Sequence, residues 1–185
     1  MKNLILILLS ALTLSCCDKD DEKPKNPIDQ LPPATETGAN TAVNGKAFLP
    51  KGSSQFGPTL SCFYQQDQDG YHLGLSIVEK TYAENKSVNI SLNPQQLNEN
   101  TTYNLVAISN GTSNYNSNFG QFIIVNNVSS DIRYNTTATV IGEFKVAKLN
   151  IQQRIISGTF WYDAINTSGE KVEVRGGRFD MHYVN

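Results

Sequence analysis

The sequence predicts an all-β fold, on three observations. Apolar side chains recur with a period of two. Tyr71, Leu73, Leu75 and Ile77 alternate with His72, Gly74 and Ser76, and Val88, Ile90 and Leu92 alternate with Ser87, Asn89 and Ser91. Phe179, Met181 and Tyr183 do the same against Arg178, Asp180 and His182. Successive strand side chains point to opposite faces, so each run reads as a half-buried strand with one wet face. The second observation is that turn residues fall between such runs: Asn44-Gly45, Asp69-Gly70 and Asn166-Thr167-Ser168-Gly169. The third is the lack of any long apolar stripe at helical spacing. About ten strands with short connections make a single antiparallel β-sandwich or barrel-like domain, and the pattern leaves both architectures open.

In chain order, strands are expected at 42–49, 59–65, 71–78, 86–92, 102–108, 119–126, 132–141, 143–149, 155–165, 170–176 and 178–184. Asn44-Gly45 divides the first into a tight hairpin, with glycine supplying a positive φ. Cys62 alternates with Leu60 and Tyr64, the pattern of a buried thiol. Pro94 suits the first position of one short helical turn over 93–97. Residues 110–118, which include Tyr115, form a polar loop. Gly158 and the Gly176-Gly177 pair sit inside strands, where glycine marks a bulge or a close backbone approach. No fixed-period repeat is present, which argues against a solenoid or propeller.

The residues before the domain carry an address. Lys2 is a basic start, 4–14 is apolar apart from Ser10 and Thr13, and Ser15-Cys16-Cys17 follows. The apolar run fits a secretory signal and falls short of the roughly 20 residues of a spanning helix. A small residue before cysteine is the pattern of a bacterial lipoprotein signal. The expectation is therefore a signal peptide at 1–15, cleaved so that Cys16 carries the lipid, with Cys17 as the alternative. Two or more acyl chains make such an attachment stable. A lipidated cysteine and linker then occupy 16–40. From residue 18 this segment holds Pro24, Pro27, Pro32 and Pro33, and six acids against three lysines. It has too little apolar surface to offset its ordering entropy. It would span about 25–30 Å as a coil. The remaining 41–185 is one all-β domain by length.

Composition excludes some classes. The chain has a formal charge of −2, and loss of Lys2 with the signal would make it −3. Nucleic-acid binding needs a strong basic footprint, so no nucleic-acid partner is expected. There is no His-Glu-x-x-His, no phosphate-cradling glycine loop and no Gly-x-Ser-x-Gly elbow, and only two histidines. No catalytic residue, metal ligand or cofactor is assigned. Gln65-x-Asp67-x-Asp69-Gly70 lacks the glutamate a calcium loop needs at its twelfth position, where Ser76 stands, and reads as a hairpin turn. Cys62 with Asp180 and His182 would be a nucleophilic set only if the fold joined an inward thiol to an outward strand face. The strongest lead is aromatic. If Phe160 points inward, Trp161 points outward, and with Tyr115 it would offer a binding face for a glycan or a protein; the alternative is that both strand faces are covered and Trp161 belongs to the core.

Two resemblances extend this reading. Lys19-Asp20-Asp21-Glu22 resembles the export signal of Bacteroidetes lipoproteins, which implies display on the outer face of the outer membrane; the periplasmic face is the alternative. The segment 31–41, Leu-Pro-Pro-Ala-Thr-Glu-Thr-Gly-Ala-Asn-Thr, followed by Val43-Asn44-Gly45-Lys46, resembles the opening of a family of uncharacterised Bacteroidetes outer-membrane lipoproteins. Ser157-Gly158-Thr159-Phe160 and Gly177-Arg178-Phe179-Asp180 are similar to its end. Only Ala42 separates Thr41 from Val43, where that family often has several more residues. The resemblance implies location and no established activity. The expected protein is a lipid-anchored envelope lipoprotein, membrane-associated through its lipid alone and acting as a binding or accessory module. The alternatives are a hydrolase on an envelope or environmental polymer, and a structural or inhibitory envelope protein.

Overall fold

The computed structural model describes residues 38–52, 57–107, 117–126 and 131–185. Among them are eleven strands and no helix: β1 Gly38–Val43, β2 Lys46–Phe48, β3 Leu60–Gln66, β4 Tyr71–Lys80, β5 Glu84–Leu92, β6 Thr101–Leu105, β7 Phe119–Asn126, β8 Ile132–Asn135, β9 Gly142–Asn150, β10 Ile155–Ile165 and β11 Lys171–His182. All belong to one sheet in the order β2-β1-β11-β10-β8-β7-β5-β4-β3, with β9 beside β10 and β6 beside β9. Every strand pair is antiparallel, as hairpin-linked strands allow. The architecture is thus one sheet curled into a half-barrel, not two stacked sheets.

Short backbone bridges tie the curl. The Tyr64 N–H donates to Val184 O at 2.9 Å and the Val184 N–H to Cys62 O at 3.1 Å, so the chain end covers the edge of β3. β3 pairs β4 only as far as Ile77, and Lys51 takes the vacated edge, bonded to Val78 and Lys80 at 3.1 and 2.7 Å. Covered edges present no unpaired row to other chains.

The alternating apolar positions fill the inside of the curl. Leu73, Leu75, Ile77, Val88, Ile90, Leu92, Phe144, Val146, Phe160, Phe179 and Met181 are all buried. The Phe144 and Phe179 rings stack with centroids 4.8 Å apart. Tyr162 is a central post, fully enclosed, with its hydroxyl donating to Gln121 O at 2.7 Å. Glycines on β7 and β9 make room for it: a Cβ at Gly120 would lie 2.6 Å from the Tyr162 ring, and one at Gly142 would lie 2.2 Å from Tyr162 Cβ. Burial pushes the Tyr162 phenol up.

Turns follow their residues. Asn44 and Gly45 have φ of 49° and 73°, as a two-residue hairpin requires. The side chain of Asp67 closes the β3–β4 turn by accepting from the N–H groups of Asp69 and Gly70 at 2.9 and 3.2 Å.

Three expectations need correction. The segments 170–176 and 178–184 are one strand, β11, with an extra residue at Gly176-Gly177. Asn40 faces Arg178 and Ala42 faces Arg175, while Phe160 faces Gly177 and Tyr162 faces Val174. Gly176, at φ 62°, absorbs the bulge in place of a turn. The strand expected at 132–141 stops at Asn135, because Thr137 turns the chain through its hydroxyl, which accepts from the Thr139 and Val140 N–H groups. The helical turn expected at 93–97 is only a tight turn at Asn93-Pro94, followed by irregular chain over 95–98. The Gln95 N–H donates to Tyr71 O at 2.7 Å and the Leu97 N–H to the Tyr64 hydroxyl at 3.0 Å, which draws Leu97 into the core.

Candidate functional site

Trp161 stands where alternation put it. Phe160 and Tyr162 are buried, and Trp161, between them on β10, lies half-buried on the outer face. Its Nε1–H donates to Glu143 Oε2 on β9 at 3.1 Å. The bulge on β11 sets Arg175 across from it, with the guanidinium carbon 5.4 Å from the indole centroid. Arg175 is itself held by Asp163, which also pairs with Lys171 at 2.9 Å. Burial works to raise the Asp163 carboxyl, but Lys171 and Arg175 together bring it below its ordinary value.

This indole borders a shallow groove of about 240 Å³. Gly176 and Gly177 line its floor; a Cβ at Gly177 would point inward, 2.4 Å from the ring of the buried Phe160. Lys145 and Arg178 flank it, each opposite Thr159 in register. The groove combines an aromatic edge with cationic walls. Part of the indole is already committed, its N–H to Glu143 and its ring to Arg175. Tyr115 lies outside the described residues, as do Cys16, Cys17 and Lys19-Asp20-Asp21-Glu22.

The fold does not join Cys62 to Asp180 and His182. Cys62 points into the core, where burial pushes its thiol up to about 12. Asp180 and His182 alternate with the buried Phe179, Met181 and Tyr183 and so face outward. The thiol and the imidazole therefore lie on opposite faces of the sheet wall.

The sequence reading missed two places. One is the open end of the half-barrel, a hollow of about 430 Å³ lined by Phe48, Phe122, Ile124 and Tyr134 under Lys46, Glu79 and Lys86. The other is the outer face of β3, β4, β5 and β7. There Phe63 is 39% exposed and lies over Gly74, and His72 is only 7% exposed. One ring nitrogen of His72 is 3.0 Å from Asp67 Oδ1 and the other 2.8 Å from Asn93 Oδ1. The Asp69 N–H, with His72 adding to it, holds the Asp67 carboxyl below its usual value. The signal for Phe63 was present: alternation that turns Cys62 and Tyr64 inward turns Ser61, Phe63 and Gln65 outward. The burial of His72 had no such signal, because it depends on Asp67 and Asn93 meeting over it from two different turns.

Compared with known proteins, the chain matches no family model, no curated protein and no solved structure.

Proposed function

We propose that this chain is a lipid-anchored envelope lipoprotein, displayed at the cell surface on a tether, whose curled β-domain serves as a binding or accessory module. The observation that carries the anchoring is the apolar run at 4–14 ending in Ser15-Cys16-Cys17. An acylated cysteine would moor a domain whose described residues include no helix long and apolar enough to cross a membrane. Lys19-Asp20-Asp21-Glu22, following directly, supports the outer leaflet as the destination. Support for a binding role is the outward Trp161 beside the glycine-floored groove between Lys145 and Arg178. An aromatic edge among charged and hydroxyl side chains suits a glycan or a protein partner.

The test is detergent phase partition of the full chain, with proteinase shaving of intact cells. The wild type is expected in the detergent phase and open to the protease. A variant with both Cys16→Ala and Cys17→Ala is expected in the aqueous phase. A double variant that still enters the detergent phase would overturn the anchoring, and complete protection from the protease would move the protein to the periplasmic face.

A further inference from the structure

We propose that the outer face of β3, β4, β5 and β7 is a binding site for a neutral oligosaccharide, with Phe63 as its stacking platform. The site lies on different strands from the Trp161 groove and does not depend on the lipid.

The platform comes first. Gly74 faces Phe63 across the β3–β4 pair, and a Cβ there would stand 2.1 Å from Phe63 Cε1. The ring therefore lies down on the bare β4 backbone and turns its other face to solvent. An aromatic ring pinned in this way offers a flat apolar surface and has little freedom left to lose on binding.

The surroundings select the ligand. Two hollows, of about 220 and 280 Å³, meet at Phe63 and Ser91. The first is lined by Ser61, Ser76, Asn89, Phe119 and Gln121, the second by Gln65, Asp67, Asp69, His72 and Asn93. Hydroxyls and primary amides both donate and accept, as sugar hydroxyls do. Several are already oriented. The Ser76 hydroxyl donates to Asn89 Oδ1 at 2.7 Å, Asn89 Nδ2 to Ser87 Oγ at 2.9 Å, and Gln121 Nε2 to Asn135 Oδ1 at 2.7 Å. At the far corner Asn93 Nδ2 donates to Ser91 Oγ at 2.5 Å while Asn93 Oδ1 faces the buried His72. Four adjacent strands extend this surface over about 14 Å, room for several linked rings.

Other ligand classes fit less well. Neither hollow is lined by Lys or Arg, and the charges present are Asp67 and Asp69, so an anionic chain would be repelled. A wholly apolar ligand would cover the remaining donor and acceptor positions of these hydroxyls and amides and leave those positions unpaired. A sugar ring presents both what Phe63 needs, an apolar C–H face, and what the amides need, a hydroxylated rim.

The experiment is calorimetric titration of the full chain, held in a detergent without a sugar headgroup, with maltohexaose, cellohexaose, xylohexaose, mannohexaose and hexagalacturonate. At least one neutral hexaose is expected to bind and the galacturonate is not. Phe63→Ala should weaken that binding about tenfold, while Phe63→Tyr, which keeps the platform, should stay close to wild type. Ser91→Tyr, which fills the junction of the hollows and leaves Phe63 in place, should weaken it to a similar degree. Ile151→Ala, in the exposed turn between β9 and β10, should leave it unchanged. Failure of all four neutral hexaoses to bind, or binding that survives both Phe63→Ala and Ser91→Tyr, would overturn the proposal. Binding lost only in Trp161→Ala would overturn it too, and would instead favour the groove on β10. Phase partition of the Cys16 and Cys17 double variant reports on the anchor separately.

Discussion

Tyr162 shows how much one side chain carries here. Its ring occupies space that Gly120 and Gly142 leave open, and its hydroxyl satisfies Gln121 O inside the core. Tyr162→Phe keeps the ring and removes only that bond, so it should cost about 1 kcal/mol and lower the melting temperature by roughly 2–4 °C. Thermal unfolding monitored by circular dichroism checks this. Asp163 makes a different, pH-dependent contribution. Its folded value lies below the ordinary 3.8 because Lys171 and Arg175 favour the carboxylate over the opposing effect of burial. Such a group stabilises fully above its unfolded value, and the contribution is lost as pH falls through the lower folded value. Asp163→Asn should therefore be less stable than wild type by about 1 kcal/mol at pH 7, the gap closing as pH drops from 3.8 through the folded value. Urea denaturation across that range reads the gap. A gap that widened on acidification would mean that the pair does not act in this way.

At the scale of elements, strand faces were legible because a period of two is a local property. Cys62 inward, Trp161 outward and the Asn44-Gly45 hairpin all follow from nearest neighbours in the chain. Strand ends were less legible. Glycine can mark a bulge or a stop with the same residues, and at Gly176-Gly177 the partners on β1 and β10 decide in favour of a bulge. Thr137 ends β8 through a side-chain bond that propensity alone does not show. Of the outward aromatics, Trp161 was readable and so was Phe63. The ring's rest on Gly74 was not, because it belongs to strand register. Gly158 offers the sharpest check on that register. A Cβ there would stand 1.9 Å from Lys145 O and 2.7 Å from the Phe179 ring. Gly158→Ala must push β9 away from β10 and should cost about 3 kcal/mol in urea denaturation. Gly45→Ala, with open space but φ at 73°, should cost only about 1 kcal/mol. Equal costs at the two positions would contradict the close packing of β9 on β10.

For the whole molecule, one curled sheet puts its apolar positions inside and leaves two separate outer faces with different chemistry. The face around Trp161 is charged, and the face around Phe63 is built from amides and hydroxyls. In the proposed arrangement the Pro-rich segment before β1, which begins at Gly38, would carry both faces clear of the lipid headgroups, so the mode of attachment decides what the domain meets. Mass spectrometry of the mature amino terminus tests that claim most directly. Residues 1–15 are expected to be absent and the first residue to be Cys16, or Cys17 in the alternative, carrying a thioether-linked diacylglycerol. A chain that still begins at Met1, or that begins at a cysteine with an unmodified thiol, would contradict it.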